Sequence, residues 1–343
     1  MRKLLNTLYV TTPNAYASLD GENVVVSVDG EQLGRFPFHI LEGIYLFTYP
    51  GASPALMGKC VKLGINLVFI SPRGKFLARA SGVANGNVLL RKEQYRISDD
   101  KKRSAMLAKN FLFGKLYNSR KVLARARRDH SERLDEETFL DAEASIKGIL
   151  RNVLEENTLE NLLGLEGAAA NVYFSRMDDM ILRSKDDFFY HERSRRPPLD
   201  NVNALLSFVY MMLTNDCASA AEAAGLDSYV GFMHRDRPGR ASLSLDLVEE
   251  LRPCLADRFV LTLINDRVIT SKDFQKQENG AVLLRDDGRK KLQKEWQIRK
   301  QKKIIHPYLK EKIEWGLIPY VQALLLARYI RGDLDGYPPF LWK

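Results

Sequence analysis

The apolar positions change their period once along the chain, and that change divides it. Up to about residue 90 they come in short β-branched and aromatic runs separated by turn residues, the pattern of strands joined by tight turns. Leu8-Tyr9-Val10-Thr11-Thr12 reads as a strand, and Tyr16-Ala17-Ser18-Leu19 runs into Asp20-Gly21, a hairpin signal. Asn23 to Val28 follows and meets a second such signal at Asp29-Gly30, and the series continues with Gln32 to Phe36 and Gly43 to Phe47. One stretch interrupts it. Ser53 as N-cap, Pro54 in the first turn, then Leu56, Met57, Cys60, Val61 and Leu63 at helical spacing predict an embedded helix, which Gly64 stops. Asn66 to Ile70 returns to strand, Pro72-Arg73-Gly74 to turn, and Phe76 to Arg79 to strand.

Residues 91–105 are polar and charged and predict a linker; beyond them the helical period dominates. Met106, Phe111, Phe113, Leu116, Val122 and Leu123 mark a long amphipathic helix, with Lys109, Lys115, Arg120, Lys121, Arg125, Arg127 and Arg128 assigned to its polar face. Residues 144–163 repeat the pattern, and further helical patterns cover roughly 162–180, 202–214, 243–261 and 317–331. There is no internal repeat and no low-complexity tract. The expected fold class is α+β: a β-rich N-terminal domain over 1–90, a charged linker over 91–105, and a larger, mainly α-helical catalytic domain over 106–343.

Composition narrows the class. Among 343 residues, 45% are hydrophobic and 28% charged, which excludes a mainly disordered chain, a collagen and a disulfide-stapled miniprotein. The longest apolar candidate, Ala204 to Leu213, is broken by Ser207, and the N-terminus has no long apolar core. Neither a membrane span nor a signal peptide is expected. Cys60, Cys217 and Cys254 are odd in number, lie in no CxxC pair and sit among apolar neighbours. They read as reduced core thiols, and the expected location is cytoplasmic. Lys plus Arg number 52 against 43 acidic residues, a net charge of +9, which suits a polyanionic partner. The surplus is concentrated: from Arg285 to Lys303 there are nine basic residues, among them Lys290, Lys291 and Lys294, against three acidic ones. That stretch is either a solvated helix face or a phosphate-tracking surface.

Three places offer chemistry. Glu166 is a single carboxylate among Gly164, Gly167, Ala168 and Ala169, small residues that would allow close packing on a helix. It either points to solvent or needs a cation beside it. His234, one of five histidines, is followed by Arg235, Asp236, Arg237 and Arg240 in a loop ended by Pro238 and Gly239. This is an ordinary basic loop, or a ligand and proton carrier beside arginines suited to phosphate. Asp246 and Glu249 are three apart on a helix for which Ser242 or Ser244 is a plausible N-cap, so they share one face and could address one cation. Glu166, His234 and Asp246 together supply two hard oxygens and an imidazole. That set fits Mg²⁺ or Mn²⁺, with the imidazole tilting towards Mn²⁺. Other chemistries lack their signatures: there is no GxGxxG, no GxxxxGK[ST], no GxSxG and no HExxH.

Four motifs in order, LLNTLYVTTPNAYASLDGENVVV, GLEGAAANVYF, NVNALLSFVYMML and GFMHRDRPGRASLSLDLVEELRP, resemble the integrase subunit of CRISPR adaptation. The closest likeness is to the variety that accompanies type I-C systems. The resemblance implies a metal site on Glu166, His234 and Asp246, with Glu249 as the nearby acid. It also implies a metal-dependent DNA nuclease and strand-transfer enzyme, in which the 3′-hydroxyl of a short DNA fragment attacks a phosphodiester at the leader–repeat boundary of a CRISPR array. The partners it implies are a homodimer through the N-terminal β domain, a dimer of the small companion adaptation protein, and an iron–sulfur nuclease that trims incoming DNA. Arg235, Arg237 and Arg240, the face from Lys115 through Arg120 and Arg125 to Arg128, and Lys290, Lys291 and Lys294 are candidate DNA contacts. Two rivals remain at this level: a metal-dependent repair nuclease on branched DNA, and a non-catalytic DNA-binding scaffold.

Overall fold

Turn and cap chemistry organises the N-terminal strands in the computed structural model, which describes residues 6–72, 76–80 and 88–343. Strands β2 (Tyr16–Asp20), β3 (Asn23–Val28) and β4 (Glu31–Pro37), which follow β1 (Asn6–Val10), form an antiparallel sheet. At the β3–β4 turn Asp29 and Gly30 both have positive φ, 50° and 87°, the backbone that an Asp-Gly hairpin tolerates and a β-branched pair would resist. The strand β5 (Leu41–Leu46) pairs in parallel with both β1 and β6 (Asn66–Ile70), and β7 (Phe76–Arg79) runs antiparallel to β6, giving the order β1-β5-β6-β7. The parallel β5–β6 pair needs a crossover, and α1 (Pro54–Leu63) supplies it. Ser53 accepts from the Leu56 amide at 3.2 Å and Gly64 ends the helix at φ 68°, as predicted. Val24, Phe38, Ile44, Leu46, Leu56 and Leu67 lie in the resulting core. The turn expected at 72–74 falls partly outside the described residues.

The remaining elements are α2 (Val88–Asp99), α3 (Lys101–Asp129), α4 (Glu136–Glu155), α5 (Leu159–Phe174), α6 (Asn201–Ala223) and α7 (Ser242–Leu251). A π-helical turn (Arg252–Asp257) leads directly into α8 (Arg258–Asn265). Short strands β8 (Phe274–Lys276) and β9 (Val282–Leu284) precede α9 (Asp286–Gln301), and β10 (Lys303–Ile305) and β11 (Lys312–Glu314) precede α10 (Ile318–Ile330). The chain is α+β, with a β-rich N-terminal region and a larger helical portion. Among the described residues, no helix is long and apolar enough to cross a membrane. The three cysteines are buried and unbridged.

Two compact units divide the chain: Met1–Asn85 with Leu284–Lys302 and Glu314–Leu317, and Gly86–Leu283 with Lys303–Ile313 and Ile318–Lys343. A boundary drawn at one point along the sequence therefore misses that α9 belongs with the strands. Within that unit Gln297 donates to the Tyr9 hydroxyl at 3.1 Å, and Lys300 is buried against Glu42 at 3.0 Å. Part of the basic stretch is thereby committed to structure, while Lys290, Lys291 and Lys294 are exposed on α9.

Residues 91–105 are not a linker: they lie in α2 and the start of α3, where the Asp100 carboxylate caps the Lys102 and Arg103 amides. The helix expected over 144–163 is two helices. Glu156 separates them, its carboxylate accepting from the amides of Asn157 and Thr158, both at 2.8 Å. In the second unit α3 packs against α4, α5 and α7, and α6 against α7 and α10. The buried stripe of α3 includes Leu107, Phe111, Leu112, Lys115, Ser119 and Val122, while Met106 is exposed. This phase differs from the expected one at a position that matters. Lys115 is not on the polar face but inside.

Candidate active site

Three helices bring together the residues that the sequence held far apart. Glu166 projects from α5, Glu249 from α7 and Lys115 from α3. The Lys115 ammonium pairs with Glu166 Oε1 and lies 2.7 Å from Glu249 Oε2. Glu249 is buried, and its Oε1 also receives Arg252 at 3.0 Å, three residues on in the π-helical turn. Burial would raise the Glu249 pKa, but the charges of Arg252, Lys115 and His234 win and hold it down at about 2. The Arg252 guanidinium also lies over the Tyr210 ring, 4.7 Å from its centre.

His234 sits between Asp246 and Glu249 of α7. Its Nδ1 is 2.7 Å from Asp246 Oδ1, and its Nε2 is 4.0 Å from Glu249 Oε1. Burial would lower the histidine pKa; the bond to Asp246 and the charges of Asp246 and Glu249 outweigh it, so the net shift is upward. Asp246 itself is fully buried and fully engaged. Oδ2 accepts the amides of Phe232 and Met233 at 2.7 and 3.1 Å, and Oδ1 accepts the amide of His234 at 2.9 Å besides facing its ring. A carboxylate with four donors on it folds the 232–234 loop onto α7 and orients the imidazole.

The same loop is fastened from behind. Gln94 of α2 donates to the carbonyls of Asp227 and Val230, both at 2.8 Å, Ser98 to that of Gly231 at 2.7 Å, and Ser104 of α3 to that of Phe232 at 2.9 Å. Gly231 is required by contact rather than by φ: a Cβ there would stand 2.8 Å from the carbonyl carbon and Cβ of Ser242 and 2.9 Å from Asp246 Oδ2. Neither Ser242 nor Ser244 caps α7; the N-cap is Ala241, and the serine hydroxyls donate to the carbonyls of Arg235 and Ser228. Here the loop itself faces the helix start, so the hydroxyls serve the loop.

Two buried carboxyls flank the site. Glu250, turned away from Glu249, accepts from Gln322 at 2.9 Å, from Phe340 N at 2.5 Å and from the Tyr337 hydroxyl. Burial pushes its pKa up to about 8 against those donors. Asp257, at the end of the π-helical turn, accepts from the Tyr210 hydroxyl, and burial pushes it up to about 6. A folded-state pKa above the unfolded 3.8 means that the native protein keeps a proton the unfolded chain has lost. The contribution is therefore present below pH about 4, declines as pH rises towards about 6, and is flat above. Melting of the wild type and of Asp257→Asn from pH 4 to 7 should show the difference between them changing by no more than about 1.4 kcal/mol per pH unit across that window. A constant difference would mean that Asp257 is ionised throughout.

Of the other expected contacts, Arg235 pairs with Glu160 on α5, and Arg240 holds the loop through the carbonyl of Arg235 and the Ser242 hydroxyl at 3.3 Å. Arg237 is exposed. Arg120 is half-buried, and Arg125 and Arg128 are exposed at the end of α3, each paired with Asp129. A Cβ added at Gly164 or Gly167 of α5 would meet nothing within 4 Å outside its own helix, so these two glycines are not required by close packing. Sequence reasoning set Lys115 among the DNA contacts rather than between Glu166 and Glu249, and missed Arg252 altogether. Arg252 precedes a proline that reads as a helix end, whereas the helical path continues through it. Among the described residues, no three His, Cys, Asp or Glu side chains already converge as a metal-binding group. The ammonium of Lys115 stands between two of them.

Comparison with known proteins gives one answer. The family profile described as "CRISPR associated protein Cas1" matches residues 8–298. "CRISPR-associated endonuclease Cas1 1" of Chlorobaculum tepidum is 48% identical over 343 residues, all of both chains. Among solved structures, a "Casposase bound to integration product" superposes with a TM-score of 0.82 at 23% identity, covering 99% of this chain and 95% of that one. The "Cas6-RT-Cas1--Cas2 complex" gives 0.81 at 20% identity, covering 100% of this chain and 36% of that one. At such identities the structural likeness is one of fold.

Proposed function

The chain belongs to the Cas1 family of CRISPR-associated proteins, and from that premise we propose that it is a metal-dependent DNA nuclease and integrase of CRISPR adaptation. In this reading it joins the 3′-hydroxyl ends of short DNA fragments to the leader–repeat of a CRISPR array. The observation that carries it is the convergence on Glu249 of Glu166, which shares the Lys115 ammonium with it, and of the His234 ring, whose Nε2 is 4.0 Å from its Oε1. The name of the relative, endonuclease, and the integration product held by the casposase support the activity.

These residues fit a hard divalent cation. Glu249 Oε2 is buried and accepts no well-aligned hydrogen bond, and two carboxylates with one imidazole are the donors that Mg²⁺ or Mn²⁺ takes. Asp246 fits less well than its sequence position suggested: its lone pairs are spent on the loop amides and the ring. The ligand set proposed is therefore Glu166, His234 and Glu249, with Asp246 as the group that orients His234. In neutral His234 the bond to Asp246 keeps the proton on Nδ1 and leaves the Nε2 lone pair towards Glu249. A bound cation would polarise a phosphodiester oxygen and stabilise charge in an in-line displacement. Arg252 holds the Glu249 carboxylate in place. The exposed Arg237 lies three residues from His234, where a DNA phosphate entering the site could meet it.

The same reading includes a homodimer, a dimer of the companion adaptation protein, an iron–sulfur trimming nuclease and a type I-C setting. The ordered motifs support these, and the solved complex that joins a Cas1 to a Cas2 supports the companion. The test is strand transfer by purified protein, using a labelled short duplex with free 3′-hydroxyls and a supercoiled plasmid bearing leader and repeat. Mn²⁺, Mg²⁺ or chelator is added, with and without the companion protein. Joined product that requires the metal is expected. Cutting without joining under every condition would point instead to a repair nuclease, and tight binding with neither would point to a scaffold.

A further inference from the structure

We propose that Lys115 is an internal competitor for the metal: its ammonium and the divalent cation seek the same two carboxylates, and loading the site means displacing the lysine from between Glu166 and Glu249. The inference rests on the metal-site reading above and gives a role to Lys115, which that reading takes only as the cation between the two carboxylates. Lys115 comes from the apolar stripe of α3, where a lysine is a costly choice unless its charge is needed. Its ammonium bridges the two acids of the proposed ligand set, one on α5 and one on α7. Two carboxylates that share one ammonium, Glu249 buried and Glu166 partly so, repel each other more strongly than they would in water. A fixed cation keeps them converged, so the site is preassembled rather than splayed.

The second cation of the site cannot play this part. Arg252 is held by Glu249 at 3.0 Å and lies over the Tyr210 ring at 4.7 Å, and a planar guanidinium with both a carboxylate and an aromatic face on it is the less free of the two cations to withdraw. Lys115 is a point charge on a flexible four-carbon stem. Of its two partners, Glu166 is the more open, with 26% of its side chain exposed against 3% for Glu249. The ion pair can therefore part on the Glu166 side, towards solvent, while Glu249 stays fixed. Lys115 is thus a positioning residue acting through the carboxylates, and its effect is read in metal affinity rather than in turnover.

The experiment is calorimetric titration of Mn²⁺ into chelator-stripped full-length protein at one pH, with melting of the same samples with and without Mn²⁺. Lys115→Met, close in length and uncharged, should bind Mn²⁺ roughly tenfold or more tightly than the wild type, because one competing charge is gone. Its melting temperature should be lower than that of the wild type without Mn²⁺ and should rise more when Mn²⁺ is added, so a variant that folds poorly until metal is present also supports the proposal. Lys115→Arg, which keeps the charge, should bind no more tightly than the wild type. Unchanged or weaker affinity in Lys115→Met overturns the proposal, as does tighter binding in Lys115→Arg, which would trace the effect to packing. Glu249→Gln and His234→Ala separate the two levels. If both abolish Mn²⁺ binding while Lys115→Met fails to tighten it, competition is wrong and the metal site stands; if neither alters binding, both readings fall.

Discussion

Glu249→Gln is expected to lower strand transfer by ~10³-fold or more, and to weaken Mn²⁺ binding by more than the ~10–100-fold expected of Asp246→Asn. The ranking follows from where the lone pairs go. Both oxygens of Asp246 are engaged by three backbone amides and the imidazole, whereas Glu249 Oε2 is buried with only an ion pair to Lys115. Glu249→Gln carries a second cost, since Arg252 is buried and loses its counter-charge. A broken buried pair of this kind costs ~3–5 kcal/mol, so melting must be measured alongside. Glu249→Asp resolves the ambiguity: it keeps the negative charge, withdraws the carboxylate by one methylene, and should retain most of the stability while still losing strand transfer. Titration of Mn²⁺ into the Glu249 and Asp246 variants decides the assignment. If Asp246→Asn loses more metal affinity than Glu249→Gln, then Asp246 is the ligand and its hydrogen bonds rearrange around the metal.

What was legible in the sequence is what neighbouring residues decide. Asp29-Gly30 specifies its own turn because both backbones tolerate positive φ, and Ser53, Pro54 and Gly64 bound α1 without help from elsewhere. The change from strand to helix period shows in the apolar spacing alone. Lys115 was misplaced on a signal that is present: it lies four residues after Phe111 and four before Ser119, inside the buried stripe, and counting phase rather than charge puts it there. Other features have no local signature. The sequence shows that Asp246 and Glu249 share a face, but not that one of them would be consumed by the amides of residues 232–234, because that depends on where a loop lands. The place of α9 beside the N-terminal strands is equally non-local, resting on contacts such as Lys300 with Glu42 across more than 250 residues. Arg252 was hidden because a π-helical turn carries the chain past Pro253 where an α-helix would stop.

Asp246→Ala should destabilise the protein by about 4 kcal/mol, since three buried backbone amides and an imidazole lose their acceptor at once. For a cooperative unit of this size that is a fall of ~10 °C in melting temperature. Gly231→Ala should damage the same seam from the other side. Its new Cβ would press on Ser242 backbone at 2.8 Å and on Asp246 Oδ2 at 2.9 Å, and neither neighbour is the loose end of a flexible side chain. The two substitutions act on one contact, the 231–234 loop against the start of α7, so their costs should not add. Once Asp246 is gone the carboxylate that the alanine would strike is absent and the loop has already lifted. The Gly231→Ala, Asp246→Ala double variant should therefore melt less than about 2 °C below Asp246→Ala alone, on the order of the scatter between independent sites. Strand transfer should be lost in all three, because His234 reaches Glu249 only while the loop is seated. Costs that simply sum would mean that glycine and aspartate stabilise separate parts of the fold, and that the orientation of His234 does not depend on their contact.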